Sequence, residues 1–145
     1  MAYIFVKYLH IVAIMVFVSA LVLEHVLMKP KMSSAEMGRV AITDFVYGMS
    51  ATVIFITGLV LWLAVGKGSD FYSSNPVFHA KVTIFVLVAL VSVYPTIFFI
   101  KNRRSSSQVV LLPKPIVMMV RFELLMVLLL PLLAVLMAQG YGLAQ

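Results

Sequence analysis

Two short motifs each place a lysine and a histidine close together within an apolar stretch. "KYLH" contains Lys7 and His10, which lie three residues apart and share a helix face. "FHAK" contains His79 and Lys81. Neutral imidazole is a common ligand of metals and haem iron, and lysine can pair with carboxylates such as haem propionates. The pattern suits a b-type haem, with the histidines as axial candidates and the lysines as counter-ions.

The composition indicates the environment in which these motifs must work. The chain has 145 residues, of which 63% are hydrophobic and 11% are charged, and its mean hydropathy is +1.12. A soluble domain is roughly half apolar and about a quarter charged, so this composition predicts contact with a lipid bilayer. There is no cysteine, which excludes disulfides, thiolate metal centres and covalent c-type haem attachment.

Four apolar segments are each longer than the roughly 20 residues that an α-helix needs to cross a bilayer. They are Tyr3–Met28, Ala41–Gly66, Val77–Ile100 and Ile116–Ala138. Helices are expected because backbone polar groups exposed to lipid must be satisfied within the segment. The short linkers (29–40, 67–76 and 101–115) favour antiparallel neighbours. The sequence therefore predicts an all-α, integral membrane four-helix bundle that forms a single domain over residues 1–145.

The basic residues predict how the bundle is oriented. The first and third linkers together hold seven lysines and arginines, whereas the second holds only Lys67. By the positive-inside rule, linkers one and three are cytoplasmic and both termini lie outside. The net charge of +6 mostly reflects this asymmetry. Basic residues interleaved with aromatic residues on a soluble face are absent, so no nucleic-acid partner is expected.

This orientation divides the intramembrane ionisable residues between two leaflets. The two motifs fall in the outer leaflet. An inner-leaflet group consists of Glu24, His25, Asp44, Tyr47, Arg121 and Glu123. His10 and Glu24 are separated by about 21 Å along an ideal helix, so they belong to different sites. Ionisable groups inside a bilayer cost roughly 2.5–3.5 kcal/mol each and are functional candidates.

Simpler structural roles compete with these functional interpretations. Lys7, Lys81 and Glu24 could extend their charged ends to the membrane surface, and His79 could be an ordinary interface residue. His10 could hydrogen-bond a neighbouring helix. For the inner group, the favoured interpretation is a structural ion-pair network, because opposite charges at one depth neutralise each other. A proton-carrying network is the alternative.

Nearly the whole chain resembles a bacterial family of small predicted membrane proteins of unknown function. The resemblance rests on "KYLHIVAI", "LVLEHVLM", "DFVYGMSA", "TGLVLW", "GKGSDFY", "NPVFHAK", "SVYPTIFF" and "RFELLMVLLLPLLAVLMA". Lys7 with His10, and His79 with Lys81, also resemble more remotely the HemJ-type protoporphyrinogen IX oxidases, which have Lys-x-x-His and His-x-Lys motifs. That resemblance implies haem b ligated by His10, a functional Lys81 and electron transfer from a porphyrinogen. It also implies residence in the bacterial inner (plasma) membrane.

Four functions follow as hypotheses, of which the first is preferred. The first is a haem-b membrane oxidoreductase that passes electrons from a lipophilic donor to quinone or oxygen. The second is a narrower version, a HemJ-like oxidase with a porphyrin substrate. The third is a non-enzymatic accessory subunit of a larger membrane complex. The fourth is a proton-coupled transporter that uses Glu24, Asp44 and Arg121, which would require a homo-oligomer because four helices form a poor pathway alone.

Overall fold

Four long helices account for most of the chain. The computed structural model describes residues 1–104 and 109–142. The long helices are α1 (Ala2–Leu27), α2 (Ser34–Val60), α4 (Pro76–Asn102) and α5 (Lys114–Ala138). Each is long and apolar enough to cross a membrane, with α2 counted together with the π-helical turn Leu61–Val65 that extends it. The prediction of an all-α membrane bundle with four spans is confirmed.

The second span begins earlier than its hydropathy indicates. The apolar segment starts at Ala41, but α2 starts at Ser34 because Ser33 and Glu36 form a capping box. The Ser33 hydroxyl accepts from the Glu36 backbone N–H at 3.2 Å, and the Ser33 N–H donates to the Glu36 carboxylate at 2.9 Å. Hydropathy reports where lipid contact begins, whereas the cap sets where the helix begins. Arg39 therefore lies on α2 and not in a linker.

The four helices form a ring in the order α1, α2, α4, α5. The closest packing joins α1 to α2 and α4 to α5, while α2 packs on α4 and α1 on α5. This arrangement places α1 and α4 on a diagonal of the bundle. Across the diagonal, the rings of Phe17 and Phe85 have centroids 6.2 Å apart. Side chains from α1 that point inward can therefore meet groups from every other long helix.

One end of the bundle, here called the basic end, is closed by a small sheet. Strand β1 (Lys31–Met32) pairs antiparallel with β2 (Val110–Leu111), with Lys31 opposite Leu111. Buried apolar side chains lie beneath it, namely Met32, Met37, Val40, Phe99, Val110, Leu112 and Ile116. Seven basic residues surround this end, which are Lys29, Lys31, Arg39, Lys101, Arg103, Arg104 and Lys114.

The opposite end, here called the terminal end, holds the start of α1, the end of α5 and the short helix α3 (Ser69–Ser73). Fully buried Asn75 caps α4 by accepting from the Val77 N–H at 2.9 Å. Its side-chain amide also donates to the Tyr141 carbonyl at 3.2 Å, which ties the segment after α5 to the start of α4. The Trp62 indole N–H donates to the Ser73 hydroxyl at 3.2 Å. These bonds join the end of the second span to α3 and the segment after α5 to the start of α4.

The α1–α2 interface contains three buried hydroxyl residues on α2. Thr43, Ser50 and Thr57 are spaced seven residues apart and therefore lie on nearly one face. Each hydroxyl donates to a backbone carbonyl of its own helix, at Arg39, Val46 or Tyr47, and Val53. Small side chains whose polar groups are satisfied in this way allow two membrane helices to approach closely.

Candidate functional sites

The inward face of α1 organises the polar interior. His10, Phe17 and Glu24 are spaced seven residues apart, which is close to two helical turns, so the three side chains lie on nearly one face. Phe17 is buried, and its ring stacks on that of Tyr47 with centroids 4.6 Å apart. This aromatic contact separates a polar region around His10 from a second polar region around Glu24.

The first region, here called the histidine site, contains His10, Thr57 and Lys81. His10 Nδ1 lies 2.8 Å from Thr57 Oγ1. The Thr57 hydroxyl also contacts the Val53 carbonyl at 2.6 Å, and both contacts are hydrogen bonds when Thr57 donates to Val53 and accepts from His10 Nδ1–H. In that arrangement neutral His10 carries its proton on Nδ1, and the Nε2 lone pair is the one that can bind another group.

A lysine and a glycine complete the surroundings of His10. Lys81 on α4 is half-buried and lies close enough to His10 for the two charges to interact. A Cβ atom at Gly58 would lie 3.5 Å from His10 Cε1, so the imidazole ring rests directly on the α2 backbone at this position. The structure therefore brings together one residue from each of the two lysine–histidine motifs.

The other two residues of those motifs have different partners. Lys7 is exposed, with its ammonium 5.5 Å from the centre of the Tyr3 ring. His79 is exposed, and its Nε2 lies 2.7 Å from the Ser73 carbonyl oxygen. Residues two apart on a helix point about 200° away from each other, so His79 turns outward when Lys81 turns inward. The expected four-residue set is thus reduced to His10 and Lys81.

The second region, here called the carboxyl site, contains three acidic side chains from three helices. Glu24 on α1, Asp44 on α2 and Glu123 on α5 are 2%, 4% and 1% exposed. Their charges are close enough to interact with one another. They are three of the five acidic residues in the whole chain, so most of the acidic groups are concentrated at one buried position.

Two hydroxyl groups serve two of these carboxyls. The buried Tyr47 hydroxyl donates to Glu123 Oε2 at 3.0 Å. Thr96 on α4 donates to Asp44 Oδ1 at 2.9 Å. With these bonds, all four long helices contribute to the carboxyl site. Thr57 and Thr96 are not among the candidates that the sequence predicts. The seven-residue spacing of the α2 hydroxyl residues is a signal for Thr57, and Thr96 has no such signal.

The expected ion-pair network is not formed. Within residues 1–104 and 109–142, the one ion pair within 4.0 Å joins Lys29 to Glu36, at the surface. Arg121 is exposed, because it lies two residues from Glu123 and so points to the opposite side of α5. His25 is half-buried and follows Glu24 directly on α1, so its side chain points about 100° away from that of Glu24. Its buried Nδ1 atom has no hydrogen-bond partner.

Two carboxyl oxygens at this site also have no partner. They are Glu24 Oε2 and Glu123 Oε1, both buried. A buried polar atom left without a hydrogen bond costs about 1–3 kcal/mol. Among the described residues, no group of three or more histidines, cysteines or acidic residues is arranged to hold a metal ion. The carboxyl site is therefore rich in acceptors and poor in donors.

Two cavities lie near these groups. A small cavity of about 50 Å³ borders Tyr47, Ser92 and Thr96 and is otherwise lined by apolar residues. An open groove of about 380 Å³ runs between α1 and α2, lined by Met15, Val16, Ser19, Ala20, Leu23, Ile42, Thr43 and Val46. The small cavity touches the two hydroxyl residues that serve the carboxyls, and it is large enough for a water molecule.

Comparison with known proteins shows the family of the chain but no biochemical function. No curated protein matches the sequence. No solved structure matches it either. A family described as "Predicted membrane protein (DUF2214)" matches residues 2–142, which is nearly the entire chain. The chain is therefore a member of the DUF2214 family of predicted membrane proteins.

Proposed function

We propose that this protein binds haem b within the membrane and transfers electrons, with His10 as the axial ligand. The observation that carries the proposal is the hydrogen bond from His10 Nδ1–H to Thr57 Oγ1 at 2.8 Å. Metal-ligating histidines commonly donate their second ring N–H to a fixed acceptor, which sets the tautomer and the ring orientation. His10 has this arrangement, with Nε2 free.

The residues around His10 fit a haem in part. His10 offers a neutral nitrogen ligand, and Lys81 offers a positive charge to one propionate. The hydrogen bond of His79 to Ser73 leaves one histidine ligand in place of the two expected from the sequence. Neither of the two cavities borders His10, so the surrounding helices would have to separate to admit the macrocycle. A bound haem would supply a one-electron redox centre.

An absorption spectrum of the purified protein in mild detergent tests the proposal. We expect a Soret band in the protein as isolated or after haem is added, with a high-spin spectrum because one histidine ligates. His10→Ala should lose the band, while the matched variant His79→Ala should keep it. A full-strength band in a folded His10→Ala variant would contradict the ligand assignment. A colourless wild-type protein after haem addition would contradict haem binding itself.

The open groove favours a second candidate function, that of an accessory subunit in a larger membrane complex. The groove between α1 and α2 is almost entirely apolar and faces away from the bundle interior. It could receive a helix of another subunit or the tail of a quinone. If the wild-type protein binds no haem, co-purification of a stoichiometric membrane partner from mildly solubilised membranes would support this candidate.

The proposed function includes the orientation expected from the sequence, with the basic end in the cytoplasm of a bacterial inner membrane. The chain has no cysteine, so single cysteines report their side of the membrane without background. A cysteine at Ser33 should be protected from an impermeant thiol reagent added to whole cells, whereas one at Ser69 should react. The reverse result would invert the orientation.

A further inference from the structure

We propose that Glu24, Asp44 and Glu123 form a proton-binding site inside the membrane, and that Glu24 holds an exchangeable proton. The inference goes beyond haem binding and does not depend on it. It starts from the concentration of three buried carboxyl groups at one position. It also uses the buried atoms that lack hydrogen-bond partners.

The charge balance of the site requires a neutralising species. The ionisable groups that face one another here are Glu24 from α1, Asp44 and Tyr47 from α2, and Glu123 from α5, while α4 contributes the neutral Thr96. No lysine or arginine among the described residues pairs with any of them. Adjacent carboxylates in a low-dielectric interior cannot all ionise, so protons or a cation must compensate the charge.

The hydrogen-bond directions favour protons over a metal cation. Tyr47 and Thr96 direct their hydroxyl hydrogens at Glu123 Oε2 and Asp44 Oδ1, so one oxygen of each of these carboxyls is already engaged by a donor. The described acidic residues also do not form a metal-binding group. A hard cation needs several oxygen ligands that converge on one point in place of its hydration shell, and the described carboxyls are not arranged in that way.

The same hydrogen bonds distinguish Glu24 from the other two carboxyls. Glu123 and Asp44 each accept a hydroxyl hydrogen, which favours the ionised form of a carboxyl. Glu24 makes no side-chain hydrogen bond within the described residues, and its Oε2 is buried. It is the carboxyl for which ionisation is least supported, and therefore the one that carries the proton.

A small cavity lies beside the carboxyl site. Tyr47 and Thr96 each bond a carboxyl and also line the cavity of about 50 Å³. A water molecule occupies about 30 Å³ in the liquid, so one or two waters fit this cavity. Such waters would be in reach of the hydroxyls of both residues, which connects the cavity to Glu123 and Asp44.

Infrared difference spectroscopy of the full-length protein in lipid vesicles tests the proposal. Spectra recorded at a series of pH values, in H₂O and D₂O, should show a protonated-carboxyl C=O band that titrates and shifts to lower frequency in D₂O. We expect Glu24→Gln to lose this band. The matched variant Glu36→Gln, which alters an exposed carboxyl paired with Lys29, should keep it.

Three results would overturn the proposal. The first is the absence of such a band, and the second is a band that neither titrates nor exchanges, which would mean a locked structural proton. The third is a full-strength band in Glu24→Gln; if that variant does not fold, Glu24→Leu provides the same comparison. In parallel, the thermal unfolding midpoint is measured in choline chloride and in sodium chloride. A higher midpoint in sodium chloride that is lost in Glu24→Gln would identify a cation site instead.

Discussion

The histidine site and the carboxyl site lie at opposite ends of the same inward face of α1, yet their hydrogen bonding differs. At the histidine site, His10 and Thr57 satisfy each other through one hydrogen bond, and the Thr57 hydroxyl hydrogen is accepted by the Val53 carbonyl. At the carboxyl site, three acidic groups share two hydroxyl donors, and two buried oxygens have no partner.

This difference separates two uses of a polar group in a membrane interior. A hydrogen-bonded histidine can either join two helices or ligate a metal. Its presence alone therefore does not distinguish a structural role from a ligand role. Buried carboxyl oxygens without partners reduce stability by about 1–3 kcal/mol each, and a structural role does not offset that cost. The carboxyl site is therefore the stronger indication of a functional role. At the histidine site, a functional role requires direct detection of a bound ligand.

The largest expected effect concerns the aromatic contact between the two sites. Phe17 is 3% exposed and packs on Tyr47 and Phe85. Truncating a buried aromatic side chain typically costs roughly 3–5 kcal/mol, so Phe17→Ala should strongly lower the thermal unfolding midpoint in detergent. Phe45→Ala, which removes an exposed ring of the same type, is the control. Equal midpoints for the two variants would mean that the sites are not separated by a packed layer.

The next effect tests whether Glu24 is present for stability. Glu24→Leu removes a buried, unpartnered oxygen and fills the space with apolar atoms, so it should raise the free energy of unfolding by about 1 kcal/mol or more. The measurement is thermal or denaturant unfolding in detergent, with the isosteric Glu24→Gln for comparison. Destabilisation by Glu24→Leu as large as that of Phe17→Ala would assign Glu24 a structural role and remove the contrast with the histidine site.

The smallest effect concerns the bond between His10 and Thr57. Interhelical hydrogen bonds in membrane proteins contribute about 0.6 kcal/mol on average, so a double-mutant cycle with His10→Ala and Thr57→Val should give a coupling energy of that size. Thr52→Val is the control, because Thr52 is exposed and bonds only its own helix, at the Gly48 carbonyl. Coupling that is no larger with Thr57 than with Thr52 would contradict the hydrogen bond between His10 and Thr57.

Much of the fold could be predicted from the sequence because lipid contact is a property of each segment taken alone. Four apolar segments of sufficient length predict four membrane helices. Hydropathy does not indicate the start of α2, because its first turns are polar and the Ser33–Glu36 cap extends the helix beyond the apolar segment. The small sheet at the basic end joins residues about 80 positions apart, and no local pattern indicates that pairing.

The candidate sites could be predicted less well because depth in the membrane does not fix rotation about a helix axis. Arg121 and Glu123 were grouped by depth, although a separation of two residues directs them to opposite sides of α5. The same reasoning separates His79 from Lys81. The acceptor of His79 is a backbone carbonyl of α3, a helix that the apolar pattern does not reveal.

The most direct test of the account compares His10→Ala and Glu24→Gln in one experiment, with haem absorbance and the protonated-carboxyl infrared band measured on the same preparations. The account predicts that His10→Ala loses the Soret band and keeps the carboxyl band, while Glu24→Gln does the reverse. If either variant lost both signals while remaining folded, or if neither variant changed its own signal, the assignment of two separate sites with two separate functions would be contradicted.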